Sequence, residues 1–233
     1  MIVVNCIGHS GITVESETHM LLFDYWKGVL PRLPAKKKLY VFVTHSHEDH
    51  FNPTVFSLWR SHPDVHYVLS NDVPLGEAKN RGVTECVVAE PGVDLNLGGR
   101  LRVKALPSTD LGVAYLVGLA GRNIFHAGDL TLWLWNDMTE RATYDMTLRF
   151  EEYTRPLRNF SIDTAFLPLD ARLGLYAFLG LDYYMKRFRI RHAIPMHFNG
   201  PATVVDDLLS DPTSREYRDR ILKMEAGTRV SIP

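Results

Sequence analysis

Apolar and β-branched residues come in short runs through the first half of the chain, each cut off by Gly, Pro or Asn. Segments 2–7, 12–15, 20–23, 39–44, 65–69, 85–89 and 101–106 carry this pattern and are predicted strands. Asn52-Pro53 reads as a helix start, because the Asn side chain can accept a first-turn amide and Pro has no N–H to lose there. A helix over 53–60 follows, ended by His62-Pro63, and a shorter one over 72–81 closes at Gly82. Gly98-Gly99 joins two strands, and Gly121-Arg122-Asn123 joins 113–119 to 124–126 as a hairpin.

Helical periodicity enters in the second half. Residues 139–157 place Tyr144, Leu148 and Tyr153 at helical spacing, and Pro156 marks the end. Buried strands are predicted over 163–169 and 193–196, with a helix around 176–188 between them that carries Tyr183, Tyr184 and Phe188 as core residues. Surface helices over 206–211 and 214–223 precede a last strand over 227–232. No repeat, low-complexity tract or long linker divides the sequence. Strand pairs followed by strands alternating with helices predict one α/β domain spanning 1–233.

Composition narrows the function classes. The 233 residues hold 26 Lys+Arg against 27 Asp+Glu, a net charge of −1, which gives no bulk attraction to nucleic acid or an anionic membrane. Lys36-Lys37-Lys38 reads as a solvated turn. No run approaches the ~18 apolar residues of a membrane span, and the start reads as a strand rather than a signal peptide, so a soluble, cytoplasmic protein is expected. Cys6 and Cys86 lie in apolar strands as small hydrophobes and cannot form a disulfide framework or a Cys-rich zinc cluster. The ten histidines are the feature that stands out, because several of them are gathered.

Thr44-His45-Ser46-His47-Glu48-Asp49-His50 follows directly on an apolar strand. Three imidazoles and two carboxylates at the end of a buried strand are costly without a shared partner, and a divalent cation is the obvious one. His45 and His47, two residues apart, share a face, and the chain then turns so that Asp49 and His50 reach a neighbouring point. One contiguous motif can therefore supply two adjacent metal positions.

This His-X-His-X-Asp-His pattern resembles the metal signature of the metallo-β-lactamase superfamily of hydrolases. Gly8-His9-Ser10 and Leu21-Leu22-Phe23-Asp24 resemble the amino-terminal strands of its branch of predicted bacterial hydrolases and ascorbate-6-phosphate lactonases. Phe125-His126-Ala127-Gly128-Asp129 resembles the later Gly-Asp motif, and Ile194-Pro195-Met196-His197-Phe198 the final metal histidine after a strand. The resemblance implies a four-layer αββα sandwich with a dinuclear site at one edge. It implies two divalent ions, expected to be Zn²⁺ with Mn²⁺ or Fe as alternatives: His45 and His47 on one, Asp49, His50 and His197 on the other, and Asp129 bridging them. The superfamily usually carries one more histidine between the motifs, where this chain reads Leu106-Pro107-Ser108-Thr109-Asp110-Leu111-Gly112. Asp110 is the candidate replacement ligand, and Ser108 or Thr109 falls nearest the usual slot.

Around these ligands, His9 is placed beside the site by the resemblance, in contact with substrate or hydrogen-bonded to a ligand. His126 is read as orienting a ligand and Asp24 as buttressing the motif loop. Asp170 is expected at the site rim, and Arg172 either meets an anionic substrate group or forms a structural ion pair. Trp133 and Trp135 either wall a substrate pocket or pack the core or a subunit contact. His19, His62, His66 and His192 lie outside every motif.

The expected chemistry is hydrolysis by a metal-bridged hydroxide, oriented by Asp49 and Asp129, on a lactone or ester of a small polar or phosphorylated metabolite. A metal-dependent phosphodiesterase or nuclease is the alternative, although long nucleic acid would call for a basic track. A non-catalytic metal-binding or ligand-sensing module is the alternative from another class. The expected partner is a small-molecule substrate, with no membrane, and a homo-oligomer is open.

Overall fold

A computed structural model describes residues 1–98, 101–200 and 202–233, so Gly99 of the expected Gly98-Gly99 turn lies outside the described residues. The chain forms two compact units, residues 1–90 with 224–233, and residues 91–223.

The first unit is built on a seven-stranded sheet. Its strands are β1 (Ile2–Gly8), β2 (Gly11–Glu15), β3 (His19–Phe23), β4 (Lys38–Val43), β5 (Val65–Ser70) and β6 (Val87–Ala89), with β13 (Arg229–Ile232) beside β1. β13, β1, β2 and β3 pair antiparallel, and β3 to β6 run parallel. The buried strands carry Leu, Val and Phe on both faces, which is why β3 and β4 read as continuous apolar runs. Leu39, Val41 and Val43 of β4 pack with Tyr67, Leu69, Val55 and Phe56 in one cluster, each such burial contributing ~1.5–3 kcal/mol. The helix expected over 53–60 is a 3₁₀ run, Pro53–Arg60, capped as foreseen by Asn52, whose Oδ1 accepts from Thr54 N at 3.0 Å. The helix expected over 72–81 is only α1 (Leu75–Asn80). Asp72 stays outside it, and its Oδ2 accepts from Ser46 N at 2.8 Å.

The second unit holds a six-stranded sheet of β7 (Asp94–Asn96), β8 (Arg102–Pro107), β9 (Val113–Leu119), β10 (Arg122–His126), β11 (Ser161–Pro168) and β12 (Arg189–Met196). β7 to β10 pair antiparallel, and β10, β11 and β12 run parallel. The hairpin turn expected at 121–123 falls at Ala120-Gly121 instead. Both have left-handed φ, 52° and 79°, and Arg122 and Asn123 already pair with Leu119 and Gly118.

α2 (Glu140–Thr154) buries Met146, Phe150 and Thr154 and turns Tyr144 and Leu148 to solvent, so the expected stripe is the outer one. α3 (Leu179–Arg187) packs Tyr184 against Phe150 and Phe125 at ring separations of 5.3 and 5.7 Å. Tyr184 and Phe188 are core residues as expected. The C-terminal part holds α4 (Thr203–Ser210). The helix expected over 214–223 breaks into 3₁₀ turns at Pro212–Glu216 and Arg218–Arg220, because Leu222 N leaves the helix to donate to Ala193 O of β12.

Candidate metal centre

In the first unit the predicted residues collect at the carboxyl ends of parallel strands. His45 to His50 leave β4, Asp24 ends β3 and His9 follows β1. Asp24 is fully buried and organises the loop. Its Oδ1 accepts from Thr44 N at 2.8 Å, and its Oδ2 accepts from the Thr44 hydroxyl at 2.6 Å and from His50 Nδ1 at 2.8 Å. Because the Thr44 hydroxyl donates to Asp24, it is the acceptor for His45 Nδ1 at 3.0 Å. One carboxylate thus fixes the ring orientation of both His50 and His45, with Nδ1–H held inward and the Nε2 lone pair as the ligating atom. The rings of His45 and His47 lie 4.7 Å apart, those of His45 and His50 4.1 Å apart, and His9 Nε2 is 3.2 Å from Asp49 Oδ2. Backbone bonds from His50 N and Phe51 N to His47 O close the turn between His47 and His50.

The second unit repeats this device. His197, at the end of β12, turns Nδ1 to Asp170 Oδ2 at 3.2 Å, and its Nε2 stands 3.4 Å from Asp129 Oδ1. Asp170 is not the rim residue expected: it is buried, and Arg172 binds it through Nε and Nη2 while Asn199 Nδ2 donates at 3.1 Å. Burial pushes the Asp170 carboxyl up, but the bonds from His197, Arg172 and Asn199 outweigh it and hold the group well below the usual carboxylate range. Of the two roles open to Arg172, the structure shows the ion pair.

The loop after β10 that carries Asp129 is clamped along its backbone. Its Asp129 and Thr131 carbonyls accept from the Thr109 hydroxyl at 3.2 and 2.7 Å, which in turn accepts from Thr131 N at 3.1 Å. Tyr184 donates to Leu130 O at 2.7 Å, and Trp133 Nε1 to Asp129 O at 2.9 Å. Gly180 lets α3 approach this loop, since a Cβ there would run into Thr131 Oγ1 and stand 3.3 Å from Leu132 N. His126 Nδ1 accepts from Gly128 N at 3.2 Å and holds the turn that presents Asp129, with Gly128 at φ 52°.

In the slot where a histidine was expected, Thr109 is committed to the backbone clamp, Ser108 Oγ accepts from Asp110 N at 3.2 Å, and of these three residues Asp110 is the exposed one. Five non-glycine residues among those described have left-handed φ. Four are His9 (51°), Asp24 (44°), His197 (62°) and Asn199 (46°), so strain of order 1 kcal/mol apiece sits at the residues named here.

In the first unit, His9, Asp49 and His50 bring ligand atoms within 4.8 Å of one another, and this imidazole and carboxylate set, with Asp24 behind His50, fits a divalent metal ion. The thiols do not enter: burial pushes Cys6 up to about 11 and raises Cys86 as well.

No protein-family model matches the sequence. A UPF0173 metal-dependent hydrolase of Nanoarchaeum equitans is 24% identical over 210 residues, covering 84% of this chain and 83% of that protein. Igni18, a metallo hydrolase of Ignicoccus hospitalis, superposes with a TM-score of 0.70 at 16% identity, covering 98% of this chain and 97% of that one. YhfI of Bacillus subtilis, a metallo-β-lactamase fold protein, superposes at 0.66 with 15% identity and 98% of both chains covered.

The chain has the metallo-β-lactamase fold and is similar in sequence to metal-dependent hydrolases. Sequence reasoning placed Asp24 and His126 as positioning groups; Asp24 bonds to the motif loop, and the His126 bond described above is to the Gly128 backbone. It missed Asp72, Thr109 and Asn199, whose partners lie 26, 20 to 22, and 29 residues away, and no local pattern marks such contacts. No described helix is long and apolar enough to cross a membrane.

Proposed function

We propose that this chain hydrolyses a lactone or ester bond in a small metabolite, using two divalent metal ions, Zn²⁺ before Mn²⁺ or Fe. By the sequence motifs, His45, His47 and Asp110 would hold one ion and Asp49, His50 and His197 the other, with Asp129 the remaining carboxylate donor. The observation that carries this reading is the repeated pinning of a histidine Nδ1 by a buried carboxylate, Asp24 behind His50 and Asp170 behind His197. The ions would supply Lewis acidity and a water whose pKa is lowered toward ~7. The residues do the rest. Asp49 and Asp129 accept hydrogen bonds from the attacking water and so orient it. His9, 3.2 Å from Asp49 and held at left-handed φ, steadies that carboxylate and faces the substrate.

A polar or phosphorylated substrate remains within this reading, although Arg172, one of whose two expected roles was to meet an anionic group, is bound to Asp170. The phosphodiesterase reading is weaker, because the net charge of −1 provides no basic track. We place the protein in the cytoplasm, where its two thiols, Cys6 and Cys86, stay reduced.

The test is a hydrolysis screen of metal-loaded protein against lactones, carboxylic esters and bis(p-nitrophenyl) phosphate. Turnover confined to carbon esters or lactones is expected, and phosphodiester turnover alone would contradict the bond assignment. Asp49→Ala should lower the rate roughly 100-fold or more with circular dichroism and melting near wild type. An unchanged rate removes the two-metal mechanism.

A further inference from the structure

The tryptophans in the loop after Asp129 are placed differently. Trp133 is buried, with its indole N–H on Asp129 O and its ring edge-on to His197 at 5.6 Å. Trp135 stacks on it at 8° between planes and 6.4 Å between centroids, yet is 37% exposed. The Arg172 guanidinium lies over Trp135 at 6.0 Å and is bound to Asp170, which holds His197. A closed circuit of contacts therefore ties an exposed indole to the ring of the metal histidine.

Other exposed apolar side chains lie on segments fixed to the same loop. Leu111 is 42% exposed and follows the Thr109 clamp. Leu175 is 88% exposed and adjoins Gly174, whose position meets Asn136 at 4.0 Å, next to Trp135. Leu179 is 42% exposed and precedes Gly180, which packs on Thr131. Exposed apolar side chains scattered singly need no explanation, but a set on segments that all bond to or pack on the loop after Asp129 points to a ligand with apolar surface.

Resting on the hydrolase reading above, we propose that Trp135, with Leu175 on the segment that adjoins its neighbour Asn136, is the platform for an apolar alkyl or aryl group of the substrate. The substrate class is then a carboxylic ester or lactone bearing such a group, rather than a wholly polar metabolite. Trp133 acts as a positioning residue, setting the platform at a fixed place relative to His197.

The probe is the series acetate, butyrate, hexanoate and octanoate, titrated calorimetrically into the zinc-loaded protein, with the matching p-nitrophenyl esters assayed for turnover. Affinity should rise about two- to fourfold per methylene in wild type. The rise should flatten in Trp135→Ala, return in Trp135→Phe and be reduced in Leu175→Ser, whose exposed side chain has little packing to lose. Equal affinities across the series in wild type, or an undiminished rise in Trp135→Ala, overturn the proposal. So does a dimer that Trp135→Ala and Leu175→Ser dissociate without altering the chain-length dependence. A chain-length-dependent affinity without turnover of any ester or lactone bears out the platform and removes the hydrolytic reading instead.

Discussion

Asp24 shows how much one buried carboxylate can decide. It accepts from Thr44 twice and from His50 once, and through the Thr44 hydroxyl it also sets His45. Asp24→Asn keeps the size but turns an amide N–H toward either Thr44 or His50. Metal affinity should fall roughly 10- to 100-fold, read by competition with a chromophoric chelator; wild-type affinity would show that the pinning is dispensable. The thiol and phenol buried in the same unit give a separate, alkaline signature. Burial raises Cys6 from 9.0 to about 11 and Tyr67 from 10.0 to about 12. A raised folded pKa means stability that is fully present below the unfolded value and is lost as pH rises through the folded one. The urea midpoint should therefore fall between about pH 9 and 12, and Tyr67→Phe should flatten the upper part of that fall. At residue scale the sequence was readable where chemistry is dense and local, as in His45 to His50. It was silent where one hydroxyl, Thr109, serves a loop twenty residues away.

Among the elements, α2 formed as expected, but its buried face was not legible. Its sequence offers two stripes at helical spacing, Tyr144 with Leu148, and Met146 with Phe150 and Thr154. Spacing cannot choose between them. The choice falls to packing against Tyr184, where Phe150 sits edge-on at 5.3 Å. Phe150→Ala should cost about 3–5 kcal/mol and Leu148→Ala within about 0.5 kcal/mol, measured by denaturant unfolding; comparable losses would contradict the assigned face. Strands were easier to read, because β3, β4, β11 and β12 are buried apolar runs. The C-terminal 3₁₀ turns were not legible, since their break depends on Leu222 bonding to β12.

Over the whole molecule, the topology brings donors distant in sequence to the ends of strands that run the same way. In the first unit these are the ends of β1, β3 and β4, and in the second those of β10, β11 and β12. Parallel pairing makes this possible, because successive strands return their carboxyl ends to one edge. The sequence announced this arrangement through apolar strands that each end in a histidine or aspartate. What it did not announce is the second carboxylate device, since Asp170 read as a rim residue until its burial beneath His197, Arg172 and Asn199 was seen. The central claim is that divalent metal ions, held by these donors, are required for hydrolysis. It is tested most directly by measuring the metal content of the purified full chain together with ester or lactone turnover before chelation, after chelation and after metal return. About two divalent ions per chain, with turnover lost on chelation and restored on reloading, is the predicted result. A folded, metal-free protein whose turnover is unchanged by chelator would contradict the account.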